Sequence, residues 1–204
     1  MGFGCWDFVG GWDLDVGISG RRPAVFLDRD GTLIEDVGNL ADPGDLILYP
    51  ETVPALRLLQ GRFSLFIVTN QNAVGDGALT VAQVERVNAH LVDRLTGAGV
   101  RIEAVYACVH ARAADCPCVK PKPHFPRLAA ERFGLDLAAS WAVGDHAWDP
   151  ELAANFGGRG LFVLTGHGVK HRGEVAGRFP IAAHIGEAAE VILAEARPSE
   201  GRSV

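Results

Sequence analysis

Short, continuous apolar runs alternate along this chain with stretches whose apolar residues recur every three or four positions. AVFLD (24–28), SLFIVTN (64–70), IEAVYACV (102–109), WAVGD (141–145) and GLFVLTG (160–166) have the length and apolarity of strands buried on both faces. Between them, TVPALRLLQ (52–60) spaces Val53, Leu56 and Leu59 for a helix. The stretch 80–99 starts at a capping candidate, Thr80, repeats Val84, Val87, Leu91 and Leu95 at helical spacing, and stops in glycine. PRLAAERFG (126–134) and DPELAANFG (149–157) predict two further helices, the second with Pro150 in its first turn. AAHI (182–185) and EAAEVILAEA (187–196) predict a last strand and helix. Strands alternating with helices specify an α/β fold, a three-layer α/β/α sandwich around a mainly parallel, Rossmann-like sheet.

In such a sheet, ligands bind beyond the carboxyl ends of the strands. The polar residues there are Asp28, Thr69 with Asn70, Cys108 and Asp145, so they are expected at one edge. Residues 1–20, rich in Gly, Trp and Asp, show no lasting periodicity and are expected to be a poorly ordered or irregular leader. Trp6, Phe8 and Trp12 keep open the alternative of an arm packed on the domain or on a partner. Residues 21–204 then form a single domain, a size that 204 residues in all allow.

Charge narrows the class. A formal charge of −6 argues against a nucleic-acid binder, whose affinity comes from clustered Lys and Arg. No apolar run approaches the ~20 residues of a membrane span, and the N-terminus lacks the basic start of a secretory signal. The expectation is a cytoplasmic protein with no nucleic-acid or membrane partner, a monomer or small homo-oligomer.

The first strand ends in DRDGT (28–32). Residues two apart in an extended chain face the same way, so Asp28 and Asp30 are expected to present two carboxylates to one place while Arg29 points aside. A bound Mg²⁺ relieves that crowding, and Asp145 is a natural third oxygen donor. One carboxylate can then attack phosphorus while the other handles protons. Thr69 and Lys120 suit phosphoryl oxygens, and Gly31 and Thr32 suit a sharp turn.

DxDGT after a strand, VTN after a strand, Lys120 in a Pro-rich stretch and GDxxxD (144–149) follow one another in order. With these four motifs, the chain from about 24 to about 166 resembles the haloacid dehalogenase superfamily of phosphohydrolases. The resemblance implies a Mg²⁺-dependent phosphomonoester hydrolase acting through an aspartyl-phosphate. Asp28 would be the nucleophile and Asp30 the acid and base; Thr69, Asn70 and Lys120 would bind phosphate. Mg²⁺ would sit on Asp28, Asp145 and the backbone carbonyl of Asp30. Asp149 is either a group supporting that metal or a plain helix cap.

A second cluster, Cys108, His110, Cys116 and Cys118, lies within YACVHARAADCPCVKPKP (106–123). Three thiols and an imidazole at this spacing suit a closed, structural Zn²⁺ site over 108–118; buried or reactive thiols, or a disulfide, are the alternatives. With it, the chain is similar to the branch holding the D-glycero-D-manno-heptose 1,7-bisphosphate phosphatases and the histidinol-phosphate phosphatases. That branch implies little or no cap domain and a zinc loop beside the pocket. Three positions depart from the heptose pattern: Val119 and Asp76 stand where Arg is usual, and His146 where Lys or Arg follows GD. Loss of those cations should weaken binding of a second phosphate.

His146 is expected either to contact phosphate or to cap the site. His124 reads as a helix start; His167 reads as a surface-loop residue, with contact to substrate as the alternative, and Trp148 as helix packing, with covering the pocket as the alternative. The expected reaction is removal of a phosphate from a small sugar phosphate, with the 7-phosphate of D-glycero-D-manno-heptose 1,7-bisphosphate as best guess. Histidinol phosphate, or a specialised sugar or nucleoside phosphate, is the alternative. A catalytically silent binding module would lack Asp28, Asp30, Lys120 or Asp145, and all four are present.

Overall fold

The computed structural model describes residues 6–9 and 21–196. Among these residues, seven strands form one sheet: β1 (Trp6–Val9), β2 (Arg22–Leu27), β3 (Ser64–Asn70), β4 (Ala104–Cys108), β5 (Leu135–Gly144), β6 (Arg159–Val163) and β7 (Ile181–Ala182). Their spatial order is β1-β4-β3-β2-β5-β6-β7. Strands β2 to β7 run parallel, and β1 pairs antiparallel with β4, Trp6 opposite Ala107 and Val9 opposite Ala104. The sequence reading of an irregular leader therefore gives way at these four residues. The rest of 1–20, and 197–204, lie outside the described residues.

Seven helices accompany the sheet among the described residues: α1 (Thr52–Leu59), α2 (Asn72–Gly75), α3 (Val81–Gly97), α4 (His124–Phe133), α5 (Trp148–Phe156), α6 (Gly168–Val175) and α7 (Ile185–Glu195). Alternation along the strands builds the three layers. Val25 and Leu27 point to a core with Leu56, Leu91 and Ile192, from α1, α3 and α7. Ala24 and Phe26 point to the opposite core with Phe125, Ala129, Leu152 and Phe156, from α4 and α5. Phe26 stacks on Phe66 at 5.4 Å between ring centroids and meets the edge of Phe156. Thr80 caps α3 as expected: its Oγ1 accepts from Gln83 N (3.2 Å), and Gln83 Oε1 accepts from Thr80 N (2.8 Å).

The chain departs from the sequence reading where apolar spacing is missing. Helix α6, from GVKHRGEV, buries only Gly168 and Val175, and α2 is a single turn, so neither carries an amphipathic signal. Strand β5 starts six residues before Trp141, pairing with Arg22 and Pro23 before a register shift; at that shift Ala24 N donates to Ser140 Oγ (2.8 Å). Sheet order reverses direction about β2, with β3 on one side and β5 on the other. The carboxyl end of β2, Asp28, thus stands at the crevice where an open parallel sheet binds its ligand.

Candidate active site

Asp28, Asp145 and Asp149 bring carboxylate oxygens within 4.8 Å of one another, all three buried. Asp28 follows β2, Asp145 follows its neighbour β5, and Asp149 lies in the first turn of α5. Lys120 reaches between them: its Nζ donates to Asp28 Oδ1 (2.6 Å) and Asp149 Oδ1 (2.7 Å), with its side chain only 2 % exposed. Two of the three buried carboxylates bind the one ammonium and the third lies beside them, which leaves the cluster with an excess of negative charge. Burial therefore pushes the Asp28 carboxyl up to about 8, with Asp149 and Asp145 adding to the rise and Lys120 opposing it. Burial raises Asp149 too. Lys120 is raised as well, against burial rather than by it: burial disfavours its charge, but Asp149 and Asp28 outweigh that and hold it protonated beyond the usual ammonium range. An oxygen-rich cluster short of positive charge fits a hard divalent cation such as Mg²⁺, so the expected metal has suitable donors in Asp28 and Asp145.

Asp149 is not the helix cap. The N-cap position is Ala147, and Asp149 accepts from Lys120 and, through Oδ2, from His146 N (3.0 Å). Asp30 lines the same cavity as Asp28 but has partners of its own. Its carboxylate is bound by Arg29 through Nε (3.0 Å) and Nη2 (3.1 Å), and by Gln71 Nε2 (2.9 Å). Arg29 does not point away into solvent: it is 1 % exposed, and its Nη1 donates to Asn88 Oδ1 (2.7 Å). The two aspartates thus part company, Asp28 toward the acidic cluster and Asp30 toward a buried guanidinium.

Gly31 has φ +75°, and a Cβ there would collide with the Asp145 carboxylate, so only glycine lets this turn pass so close. Thr32 does not hold the turn by its side chain; its Oγ1 is buried without a hydrogen-bond partner. Backbone bonds do so instead, from Gly31 N to Ile34 O (2.8 Å) and from Leu33 N to Arg29 O (3.0 Å).

These groups open onto a cavity of about 380 Å³ lined by Asp28, Asp30, Thr69, Asn70, Lys120 and His146 among others. Buried Thr69 accepts from Gln71 Nε2 (2.8 Å). Asn70 Oδ1 accepts from Lys120 N (3.1 Å), tying the β3 end to the lysine segment. His146 stacks flat on Trp148, ring centroids 4.3 Å apart, and its Nδ1 lies 2.9 Å from Asp145 Oδ1. Burial lowers the imidazole's affinity for a proton, but the Asp145 bond and charge outweigh it and raise His146 above its ordinary value. Trp148 accordingly lines the cavity, where helix packing was expected. His167 also joins the site: its N–H donates to Asp145 Oδ2 (2.7 Å), and its ring meets that of His146 edge-on at 5.2 Å. Gln71, Arg29, Asp36 and Arg112 were not singled out as site residues, although Arg29 lies inside DRDGT, Gln71 directly follows VTN and Arg112 lies between His110 and Cys116.

Cys108, His110, Cys116 and Cys118 converge as expected, with one ligand atom from each inside 4.8 Å. The Cys108–Cys116 and Cys116–Cys118 sulfurs are 3.5 and 3.7 Å apart, and His110 Nδ1 lies 3.3 Å from Cys118 and 3.8 Å from Cys108. A zinc tetrahedron with bonds near 2.3 Å to sulfur has edges of roughly 3.8 Å, so the cluster matches that geometry. The three cysteines are free, which removes the disulfide alternative. Hydrogen bonding to Cys118 and His110, acting against burial, holds the Cys108 thiol down at about 5, in the form a metal binds.

Residues 35–157 match the haloacid dehalogenase-like hydrolase family, a span that holds Thr69, Lys120, Asp145, Asp149 and the Cys/His cluster, with Asp28 just upstream. This chain belongs to that family. Among its relatives, the D-glycero-beta-D-manno-heptose-1,7-bisphosphate 7-phosphatase of Pseudomonas aeruginosa is 32% identical over 155 residues, 75% of this chain and 87% of that protein. A probable D-glycero-D-manno-heptose-1,7-bisphosphate 7-phosphatase of Thermoplasma acidophilum is 36% identical over 135 residues, 65% of this chain and 84% of that protein. The crystal structure of D,D-heptose 1,7-bisphosphate phosphatase from B. bronchiseptica, complexed with magnesium and phosphate, superposes with a TM-score of 0.77 at 29% identity, covering 85% of this chain and 99% of that one. This member of the haloacid dehalogenase-like hydrolases is a phosphatase acting on a phosphorylated small molecule. No described helix is long and apolar enough to cross a membrane.

Proposed function

We propose that this phosphatase removes the 7-phosphate of D-glycero-D-manno-heptose 1,7-bisphosphate through an aspartyl-phosphate. The observation that carries the mechanism is the charge imbalance at the end of β2, where three buried carboxylates face one lysine. The named relatives support the substrate. Asp28 and Asp145, with the Asp30 backbone carbonyl, would hold Mg²⁺. That ion, when bound, keeps Asp28 ionised and offsets charge on the transferring phosphoryl group.

A carboxylate oxygen of Asp28 attacks phosphorus, and the bond from phosphorus to the sugar oxygen breaks. Asp30, oriented by Arg29 and Gln71, protonates that leaving oxygen. It then takes a proton from water, whose oxygen attacks the aspartyl-phosphate; inorganic phosphate leaves and Asp28 is restored. Thr69 and Lys120 orient the phosphoryl oxygens, Asn70 holds the Lys120 segment, and His146 closes the site over Asp145. Cys108, His110, Cys116 and Cys118 bind a structural Zn²⁺ that fixes the loop between β4 and α4. The enzyme acts in the cytoplasm as a monomer or small homo-oligomer, with residues 21–204 as its single domain.

Phosphate release from α- and β-heptose 1,7-bisphosphate, histidinol phosphate, other sugar phosphates and nucleotides tests the reading, with Mg²⁺ and with EDTA. The bisphosphate should be preferred, EDTA should stop turnover, and Asp28→Asn should abolish it in a folded protein. Equal turnover by Asp28→Asn sinks the mechanism; preference for histidinol phosphate sinks the substrate.

A further inference from the structure

The cavity lining holds two permanent cations among its described residues, and they are placed differently. Lys120 lies on the floor, buried and engaged by Asp28 and Asp149. Arg112 is exposed at the rim and makes no hydrogen bond or ion pair with another described residue. It sits two residues after His110, inside the Cys/His loop, where the backbone is held against α2. Asn72 Nδ2 donates to His110 O (2.8 Å), and a Cβ on Gly75 would run into the backbone at His110 and Ala111. This guanidinium, on an anchored loop and facing a cavity whose lining includes Asp28, Asp30, Asp36 and Asp76, has no anionic partner among the described residues.

The geometry points to Arg112 as the specificity-determining residue that binds the retained phosphate of a sugar bisphosphate, an inference that rests on the phosphatase reading above. The buried floor takes the phosphoryl group that is transferred, and the rim takes the one that stays. Asp76 puts a carboxylate, not a cation, on the cavity lining, and Lys120 is engaged by Asp28 and Asp149, so recognition of the second phosphate falls to Arg112. A guanidinium binds phosphate in a bidentate manner that a lysine cannot reproduce. The contact is made equally in the bound substrate and in the transition state, so its loss raises KM more than it lowers kcat.

The test compares Mg²⁺- and Zn²⁺-loaded wild type, Arg112→Ala and Arg112→Lys on two substrate pairs: heptose 1,7-bisphosphate with heptose 7-phosphate, and fructose 1,6-bisphosphate with fructose 6-phosphate. For the bisphosphates, Arg112→Ala should lose roughly 10- to 100-fold in kcat/KM, mainly through KM, with Arg112→Lys in between. Turnover of the monophosphates should stay within about threefold, as befits a side chain outside the phosphoryl site. Calorimetric binding of the four sugars to Asp28→Asn, with and without Arg112→Ala, gives the same comparison without turnover. An equal loss on both members of each pair, or none on the bisphosphates, overturns the inference. Arg112 dependence with fructose 1,6-bisphosphate but no use of the heptose pair would sink the heptose reading and leave Arg112 standing.

Discussion

Replacing Lys120 by Met keeps the length of the side chain and removes the only ammonium shared by Asp28 and Asp149. Both contacts, 2.6 and 2.7 Å, are buried, so no water takes over the lost charge. Breaking a buried pair from one side costs about 3–5 kcal/mol, because the partner is left uncompensated. For a domain of this size that is a fall in melting temperature of roughly 6–20 °C. The cost should grow from pH 5 to pH 8, since at low pH the carboxylates escape it by protonation. Mg²⁺ should raise the melting temperature of Lys120→Met more than that of wild type, because it supplies a counter-charge that the variant lacks. Turnover should fall at least about 100-fold, as when a fixed charge facing the transition state is removed. Thermal melts at pH 5 and pH 8, with EDTA and with Mg²⁺, read all of this out together with phosphate release. A variant melting within a degree or two of wild type at pH 8, with no larger Mg²⁺ effect, would refute the reading of Lys120 as the cluster's counter-charge.

Without metal, the folded protein keeps the Asp28 proton up to about pH 8, whereas the unfolded chain loses it near pH 4. The folded state binds more protons between these limits, so stability should fall as pH rises from about 4 to about 8, and Mg²⁺ should flatten the profile. His146, raised by Asp145 despite its burial, acts in the same direction, and a flat metal-free profile in denaturant titrations would count against both. Elemental analysis should find one zinc per chain, and Cys118→Ala should lose it while residues 109–117 become open to protease; unchanged protease resistance in zinc-free protein would show that the loop needs no metal. Gly75→Ala, favourable by about 1 kcal/mol in an open helix, should instead destabilise by about 1–3 kcal/mol because its Cβ meets the loop backbone at His110 and Ala111. A rise in melting temperature for that variant would remove the contact that anchors Arg112.

Much of this protein is decided by local pattern. Apolar runs and helical spacings are enough for the alternating α/β architecture, since burial on both faces demands continuous apolarity and an amphipathic helix demands its period. The acidic pair, Lys120, Asp145 and the Cys/His cluster are legible for a related reason: their chemistry is carried by residue type at short spacing. Elements whose sequence lacks that pattern were not legible. Helix α6 buries only Gly168 and Val175, α2 is one turn, and β1 takes its place along the open edge of β4.

The partners of the site residues belong to tertiary structure alone. Asp28 lies 92 residues from Lys120 and 121 from Asp149, and no spacing rule connects them. That Asp30 turns to Arg29 while Asp28 joins Asp149, that His167 closes on Asp145, and that Arg112 stands unpaired at the rim all depend on which strand ends the parallel sheet sets side by side. A chain can write its ligands into sequence because chemistry is local. Charge balance is a property of the assembled site, because burial and distance exist only once the strands have come together.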